Sequence, residues 1–312
     1  MKTAKALTLK GLTYSEARED EARETLERLR WGDKAACPRC GSTDVTKVEP
    51  NPAKKIRKGL YRCRDCRRNK RNNQFTVTVG TIFEDSHIPL YVWLEATTLL
   101  CSSKKGMSAH QLHRQLGITY KSAWFMAHRI RYAMAQKPTK RKMRGTIEAD
   151  ETYVGGKGRR IGRLTGFENK TPVVALVQRG GKVRSFVVSH VSATTLKNVL
   201  LENVHSSSHL MTDEHDGYRI FGKQFASHQT VTHAKYEYAR GDVTTNTVEA
   251  FFGLLKRGIN GVYHHVSREH LHRYLAEFDF RYNHRKIDDH ERTISAIAGF
   301  EGKRLTYRDS LS

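Results

Sequence analysis

The chain has 312 residues, 38% of them hydrophobic, enough for two or three compact units with real cores. Its 55 Lys+Arg against 32 Asp+Glu give a formal charge of +23, with a pI near 9.9, so the expected partner is a polyanion. No run of about 18 apolar residues and no signal-peptide core is present, which excludes a helical membrane span and predicts a soluble intracellular protein.

Residues 1–32 read as a helical lead-in with Leu26, Leu29 and Trp31 as its apolar elements. From 33 to about 85 the pattern is set by cysteine, glycine and basic residues. Cys37 and Cys40 form one C-x-x-C and Cys63 and Cys66 a second, with 22 residues between the pairs. Two residues between ligands let a tight knuckle aim both thiolates at one ion, and two knuckles make a tetrahedral four-sulfur site suited to zinc. Gly41 eases the first turn. Four protein ligands leave no open position, so this zinc is expected to hold structure and take no part in catalysis. The alternative is a set of free or redox cysteines. The surroundings are strongly basic: Lys54, Lys55, Arg57, Lys58, Arg62, Arg64, Arg67, Arg68, Lys70 and Arg71 offer phosphate contacts or simply a solvated face. The fifth cysteine, Cys101, lies in an apolar stretch and reads as a buried thiol.

A helical region follows over 86–136, with Pro89 at its start. Ser108 and Gln111 form a capping box, Leu112 and Leu116 an apolar stripe, and Gly117–Thr119 a short break. A second helix then packs Ala123, Ala127 and Ile130 and leaves Lys121, Arg129 and Arg131 outside. This is a helix-turn-helix outline, equally readable as a plain helical hairpin. Residues 137–145 form a basic linker around Pro138.

After Gly145 the pattern turns to strands, at 146–154, 173–178 and 183–189, the last two joined by a hairpin at Gly180 and Gly181. A helix capped by Ser192 runs over 192–204, short strands over 209–213 and 229–233, and helices over 245–257 and 267–284. The first strand places Glu148, Asp150 and Thr152 on one face. An acid there is costly unless it is paired or metal-bound. Asp213 closes a strand, where ligand sites gather in open α/β sheets. Asp216 competes with it, but reads better as an Asx-turn beside Gly217. In helix 245–257, Val248, Phe251, Phe252 and Leu255 form the core stripe, with Asn246, Glu249, Gly253 and Lys256 beside it. Gly253 allows a close approach, Lys256 can hold a phosphate, and Glu249 is either a metal ligand or the capping-box partner of an Asn246 N-cap. Asp150, Asp213 and Glu249 together can hold two divalent cations, the arrangement that clamps a phosphodiester.

The segments "CPRCGS", "YRCRDC", "IEADETYVGGK", "MTDE", "TNTVEAFFGLLKRGINGVYHH" and "FDFRYNHR", in this order over about residues 20–290, resemble bacterial insertion-sequence transposases with an Asp-Asp-Glu core, in particular the ISXO-like group of the IS1595 family. The resemblance implies an α/β chain with a ribonuclease-H-like catalytic domain over 146–300, a mixed five-stranded sheet with helices, preceded by a zinc ribbon over 33–85. It implies cutting of the element's own terminal inverted repeats and joining of the freed 3′-OH to target DNA. Asp150, Asp213 and Glu249 would bind two Mg²⁺ or Mn²⁺ ions and Lys256 would contact DNA. Some members of that group carry Asn at the third position, and Asn246 is the matching residue here; Glu249 is preferred because a carboxylate binds Mg²⁺ more strongly than an amide oxygen. Double-stranded DNA is then the partner, in the bacterial cytoplasm at the nucleoid. Synapsis of two ends calls for a homodimer or larger assembly. The rival readings are a transposase-derived DNA-binding regulator without catalysis and a structure-selective nuclease that cuts without joining.

Overall fold

The structure, a computed structural model, describes residues 15–136, 141–156 and 170–306. Residues 1–14 of the expected lead-in and Lys137, Pro138 and Lys140 of the expected linker lie outside these ranges. The chain divides into two compact units, one built from the N-terminal region and residues 288 onward, the other from 104–106 and 135–287.

In the first unit, α1 (Glu16–Trp31) starts at Ser15, whose hydroxyl accepts from the Arg18 amide, and stops at Gly32 with φ of 62°. Three short antiparallel strands follow in the order β1 (Val45–Lys47), β2 (Tyr61–Cys63), β3 (Gln74–Phe75), with α2 (Arg64–Arg68) after β2. Trp31 meets Tyr61 and Phe75 edge-on at 5.2 and 5.9 Å, so α1 is sealed onto this small sheet by aromatic contact. Next come α3 (Leu90–Ser102), α4 (Ala109–Leu116) and α5 (Tyr120–Met134). The Ser108 hydroxyl accepts from the Gln111 amide at 3.2 Å, and Gly117 ends α4 in the left-handed region, as the sequence predicts.

The helix-turn-helix outline is present, but two of the three basic residues assigned to its outer face are not there. Arg129 and Arg131 are 4% and 2% exposed. The Arg129 guanidinium donates to the Glu84 carbonyl at 2.9 Å and lies over the rings of Trp93 and Phe125. Burial brings its pKa down to about 10. Helix α5 is buried because α3, α4 and a helix from the far end of the chain all pack on it; Tyr120 and Lys121 in its first turn stay exposed.

The second unit is a five-stranded sheet with helices on both faces. Its strands are β4 (Thr146–Gly155), β5 (Lys170–Gln178), β6 (Val183–Val187), β7 (His209–Thr212) and β8 (Ser227–Thr230), in the spatial order β6-β5-β4-β7-β8. The β6-β5-β4 portion is antiparallel, while β4-β7 and β7-β8 are parallel. Helices α6 (Ala193–Asn203) and α7 (Asp216–Arg219) cover one face, packing Leu196, Leu200 and Tyr218 on Ile147, Ala149, Val174 and Leu176. After the β9–β10 hairpin (Ala239–Arg240, Val243–Thr244), α8 (Asn246–Gly258) and α9 (Leu271–Asn283) cover the other, packing Phe251, Leu255 and Phe278 on Val173, Ala175 and Val177. Strand β5 is buried on both faces, which explains its unbroken apolar run. This α/β layering and strand order are those of the ribonuclease-H-like fold.

One detail differs from expectation. Gly253 meets nothing closer than the Arg257 guanidinium, 3.7 Å from where its Cβ would sit; the tight glycine is Gly258, whose Cβ would fall 2.2 Å from Phe278 and 2.8 Å from the Lys105 carbonyl. Helix α9 is also tied to the outer edge of β6: Asp279 accepts from the Ser185 amide and hydroxyl, while the Asn283 amide accepts from the Val183 N–H and donates to its carbonyl. The chain returns to the first unit with α10 (Asp289–Ala298), which packs on α3 and α5. Among the described residues no helix is long and apolar enough to cross a membrane.

Candidate active site and zinc centre

The four cysteines converge. Among the described residues, Cys37, Cys40, Cys63 and Cys66 alone bring their donor atoms within 4.8 Å of one another. The Cys37–Cys66 and Cys40–Cys63 sulfurs are 3.7 and 3.6 Å apart. A tetrahedral ion with Zn–S bonds of about 2.3 Å requires S–S edges of about 3.8 Å, so the spacing fits zinc. Each knuckle is shaped by backbone: the Gly41 amide donates to the Cys37 carbonyl at 2.8 Å, and the Cys66 amide reaches the Cys63 sulfur at 3.4 Å. The intervening residues run up β1 and back down β2, which is how the long spacer is absorbed. The basic residues named around it are all exposed, yet several are engaged: Lys58 with Glu16 and Asp20, Arg64 with Asp44, Arg68 with Asp65. Arg62, Arg67, Lys70 and Arg71 add positive charge to the same ribbon surface.

In the second unit the acids come together through sheet register. Parallel pairing sets Thr146 beside His209 and Glu148 beside Met211, so continuing the two strands brings Asp150 level with Asp213. Even-numbered residues of β4 face α8, since Ile147 and Ala149 are packed on the opposite face. The electrostatics record the convergence. Burial, then repulsion by Asp213, then by Glu151 and Glu249, pushes the Asp150 carboxyl up to about 7. Asp213 and Glu249 act on Asp150 through space, and the three carboxylates do not close to within 4.8 Å together.

Neighbouring acids are held elsewhere. Glu148, fully buried, accepts from the Thr247 and Val248 amides at 2.7 and 3.0 Å, from the Thr247 hydroxyl, and from Arg179 at 2.7 Å. Glu151 accepts from the Tyr218 hydroxyl at 2.8 Å. Glu214 accepts from the His233 and Ala234 amides, and these hold its pKa below the usual carboxylate value. Asp216 pairs with Arg219. Asp150, by contrast, accepts among the described residues only from the next residue's amide, and Asp213 from the His215 amide, an Asx-turn that the sequence had suggested for Asp216.

Glu249 is on the first turn of α8, accepts from the Thr245 hydroxyl at 2.7 Å and lies 3.3 Å from His233 Nε2. The capping box expected for this helix is absent. Thr245 is the N-cap residue and its side chain caps nothing; the carboxylate of Glu148, a hundred residues earlier, caps the helix instead. Arg179 extends the anchor by donating to the carbonyls of Asp242 and Thr244. Asn246 is exposed and contributes only its backbone amide, to the Thr244 hydroxyl. Lys256 is exposed two turns along. Glu148, Arg179 and His233 are the site residues the sequence did not single out. For Glu148 a signal existed, since it shares a strand face with Asp150 and a buried acid there needs a partner.

Comparison with known proteins agrees with this geometry. Residues 142–283 match the ISXO2-like transposase domain, and residues 17–69 match a transposase zinc-ribbon domain. No curated protein matches. Among solved structures, a chain from the cryo-EM structure of the simian T-cell lymphotropic virus intasome in complex with PP2A regulatory subunit B56 gamma is 16% identical, with 57% of this chain and 66% of that chain, just under two thirds, covered. The TM-score of 0.27 makes that too weak a likeness to bear on fold or function. With a four-cysteine ribbon in front and acids gathered on a ribonuclease-H-like sheet, the chain belongs to the IS1595 family of transposases.

Proposed function

We propose that this chain cuts DNA at the ends of its own insertion sequence and joins the freed 3′-OH to target DNA. The observation that supports this reading is that two strands and a helix contribute three acids whose charges meet at Asp150, where burial and then Asp213 and Glu249 disfavour ionisation, while the acids around them are engaged in structure. That arrangement suits hard cations: the donors are carboxylate oxygens, and a divalent ion offsets the burial and the neighbouring negative charge that together disfavour the ionised form of Asp150. Asp150, Asp213 and Glu249 would hold the ions. When bound, Mg²⁺ or Mn²⁺ supplies activation of the attacking oxygen and neutralises charge on the leaving one.

The chain's own residues set the geometry. Glu148 and Arg179 fix the start of α8, and so the position of Glu249; the β4–β7 register fixes Asp213 beside Asp150. Lys256 is placed to hold a phosphate. Water breaks one phosphodiester and leaves a 3′-OH, which then attacks a phosphodiester of the target as the new bond forms and the old one breaks. No Ser or Tyr nucleophile is required. The DNA is double-stranded, its phosphates are met by the basic ribbon surface, and pairing of two ends calls for at least a dimer. One structural zinc holds the ribbon. Such work belongs in the cytoplasm, at the nucleoid.

A strand-transfer assay with element-end DNA and Mg²⁺ tests this. Joined product is expected, and Asp150→Asn, Asp213→Asn or Glu249→Gln should abolish cutting and joining while DNA is still bound. Cut product alone would make the chain a nuclease, and binding alone a regulator. Full activity of Asp150→Asn would overturn the assignment of the acids.

A further inference from the structure

The segment from Val231 to Thr245, between β8 and α8, displays two tyrosines close to the acids. Tyr236 is 84% exposed and Tyr238 55% exposed, in a protein whose other large rings are mostly buried. Tyr238 packs on His233 with ring centroids 5.3 Å apart, and His233 Nε2 is 3.3 Å from the Glu249 carboxylate. One imidazole therefore separates the Tyr238 ring from the third acid.

The display is rigid. The Glu214 carboxylate takes the amides of His233 and Ala234, Glu237 takes that of Thr232 at 3.1 Å, and Arg240 donates to the Thr230 carbonyl. Tyr236 sits at φ of 60°, a conformation a bulky side chain adopts only when its surroundings impose it. Among the described residues its ring has no packing partner. Exposing two rings on a pinned, strained turn has no folding benefit, since the same positions could carry polar residues.

The chemistry around the rings indicates the occupant. Lys235 and Arg240 flank them, both exposed, while no exposed aliphatic side chain larger than Ala239 lies between. A protein-docking patch would bring aliphatic neighbours; here Glu237 lies between the rings and pairs with Arg240 at 3.3 Å, which leaves Lys235 beside two exposed aromatic faces, a set that suits a nucleotide whose phosphate and base each find a partner. We propose that Tyr238, with Tyr236 beside it, stacks an unpaired base of the DNA strand adjacent to the phosphodiester on which the acids act. This rests on the reading of the acids as a DNA-cutting site and adds to it a substrate form, a duplex opened at its end.

The test is fluorescence anisotropy with the zinc-loaded full chain in buffer without Mg²⁺, Mn²⁺ or chelator, which withholds cutting and leaves the ribbon intact, comparing a blunt labelled duplex with the same duplex carrying a short single-stranded extension. Wild type should prefer the extension by about 5- to 100-fold, the worth of one base stacked on an aromatic ring. Tyr238→Ala should lose that preference and Tyr238→Phe should keep it, with unchanged melting temperatures because the ring is exposed. Tyr238→Ala binding with wild-type preference would overturn the proposal. So would a variant that keeps the preference but changes oligomeric state in sedimentation, which would make the ring a protein contact. A wild type that cuts DNA with Mn²⁺ yet shows no preference for the extension removes only the stacking; one that binds neither duplex removes the transposase reading with it.

Discussion

Three acids within four residues of β4 have three different fates, decided by what each one meets. Glu148 is spent on a helix and an arginine, Glu151 on a tyrosine, and Asp150, among the described residues, on nothing but its own neighbour's amide. Asp150 therefore carries the strain of the site. Its carboxyl, ordinarily near 3.8, is raised to about 7, so the folded state disfavours its charge. Below about pH 4 both folded and unfolded chains hold it protonated and nothing is lost. As pH rises from there to about 7 the unfolded chain ionises first, and metal-free stability falls; above 7 this contribution is flat. Divalent cations favour the ionised form, so the gain in melting temperature from Mn²⁺ should be larger above pH 7 than below it. Asp150→Asn should raise the metal-free melting temperature at high pH by a few degrees and remove most of the Mn²⁺ gain. A thermal-shift series on the zinc-loaded chain, without added divalent cation and with Mn²⁺, checks both. An unchanged Mn²⁺ response in the variant would contradict the role given to Asp150.

At the scale of elements, the start of α8 is where local reading fails for a definable reason. A sequence offers capping partners only within a few residues, and Asn246 with Glu249 satisfies that search. The real cap reaches across from β4, which no local window can contain. The same limit applies to α5: its apolar spacing at Ala123, Ala127 and Ile130 was legible, but the covering of Arg129 by α3 depends on tertiary packing. Where partners are near in sequence, as with Ser108 and Gln111 or Ser192 and Thr195, the expected caps form. The Glu148–Arg179 pair should be costly to break from one side. Glu148→Ala leaves a largely covered guanidinium and two helix amides unmet, an expected loss of about 3–5 kcal/mol in a urea melt. Glu148→Gln, which keeps the volume and not the charge, should lose less stability but weaken Mn²⁺ binding measured by calorimetry, because Glu249 is no longer held in place. Equal Mn²⁺ affinity in Glu148→Gln and wild type would show that the anchor serves folding alone.

For the molecule as a whole, the strands of the sheet and the ribbon were legible because each is written in a strong local signal, β5 as an apolar run and the zinc set as two C-x-x-C pairs, while the five-stranded ribonuclease-H-like sheet came from the family resemblance. The sides on which the helices pack were not, since they follow from contacts between distant segments. Zinc removal by a chelator should melt the ribbon, seen as four newly reactive thiols and a loss of DNA affinity, while the sheet unit keeps its far-ultraviolet signal. With a formal charge of +23, DNA affinity should fall steeply and linearly in log–log form as salt rises; a flat dependence would exclude phosphate contact as its main source. One last consequence follows from the tie between α9 and β6. Backbone groups at Val183 and Ser185 that point away from the sheet are already taken by Asn283 and Asp279. A stranger's strand finds the docking rail interrupted there, so this stretch of the border resists amyloid-like growth and copies adding sheet to sheet. Asn283→Ala would reopen part of that border, and turbidity of a concentrated stock on storage is where the loss would first be noticed.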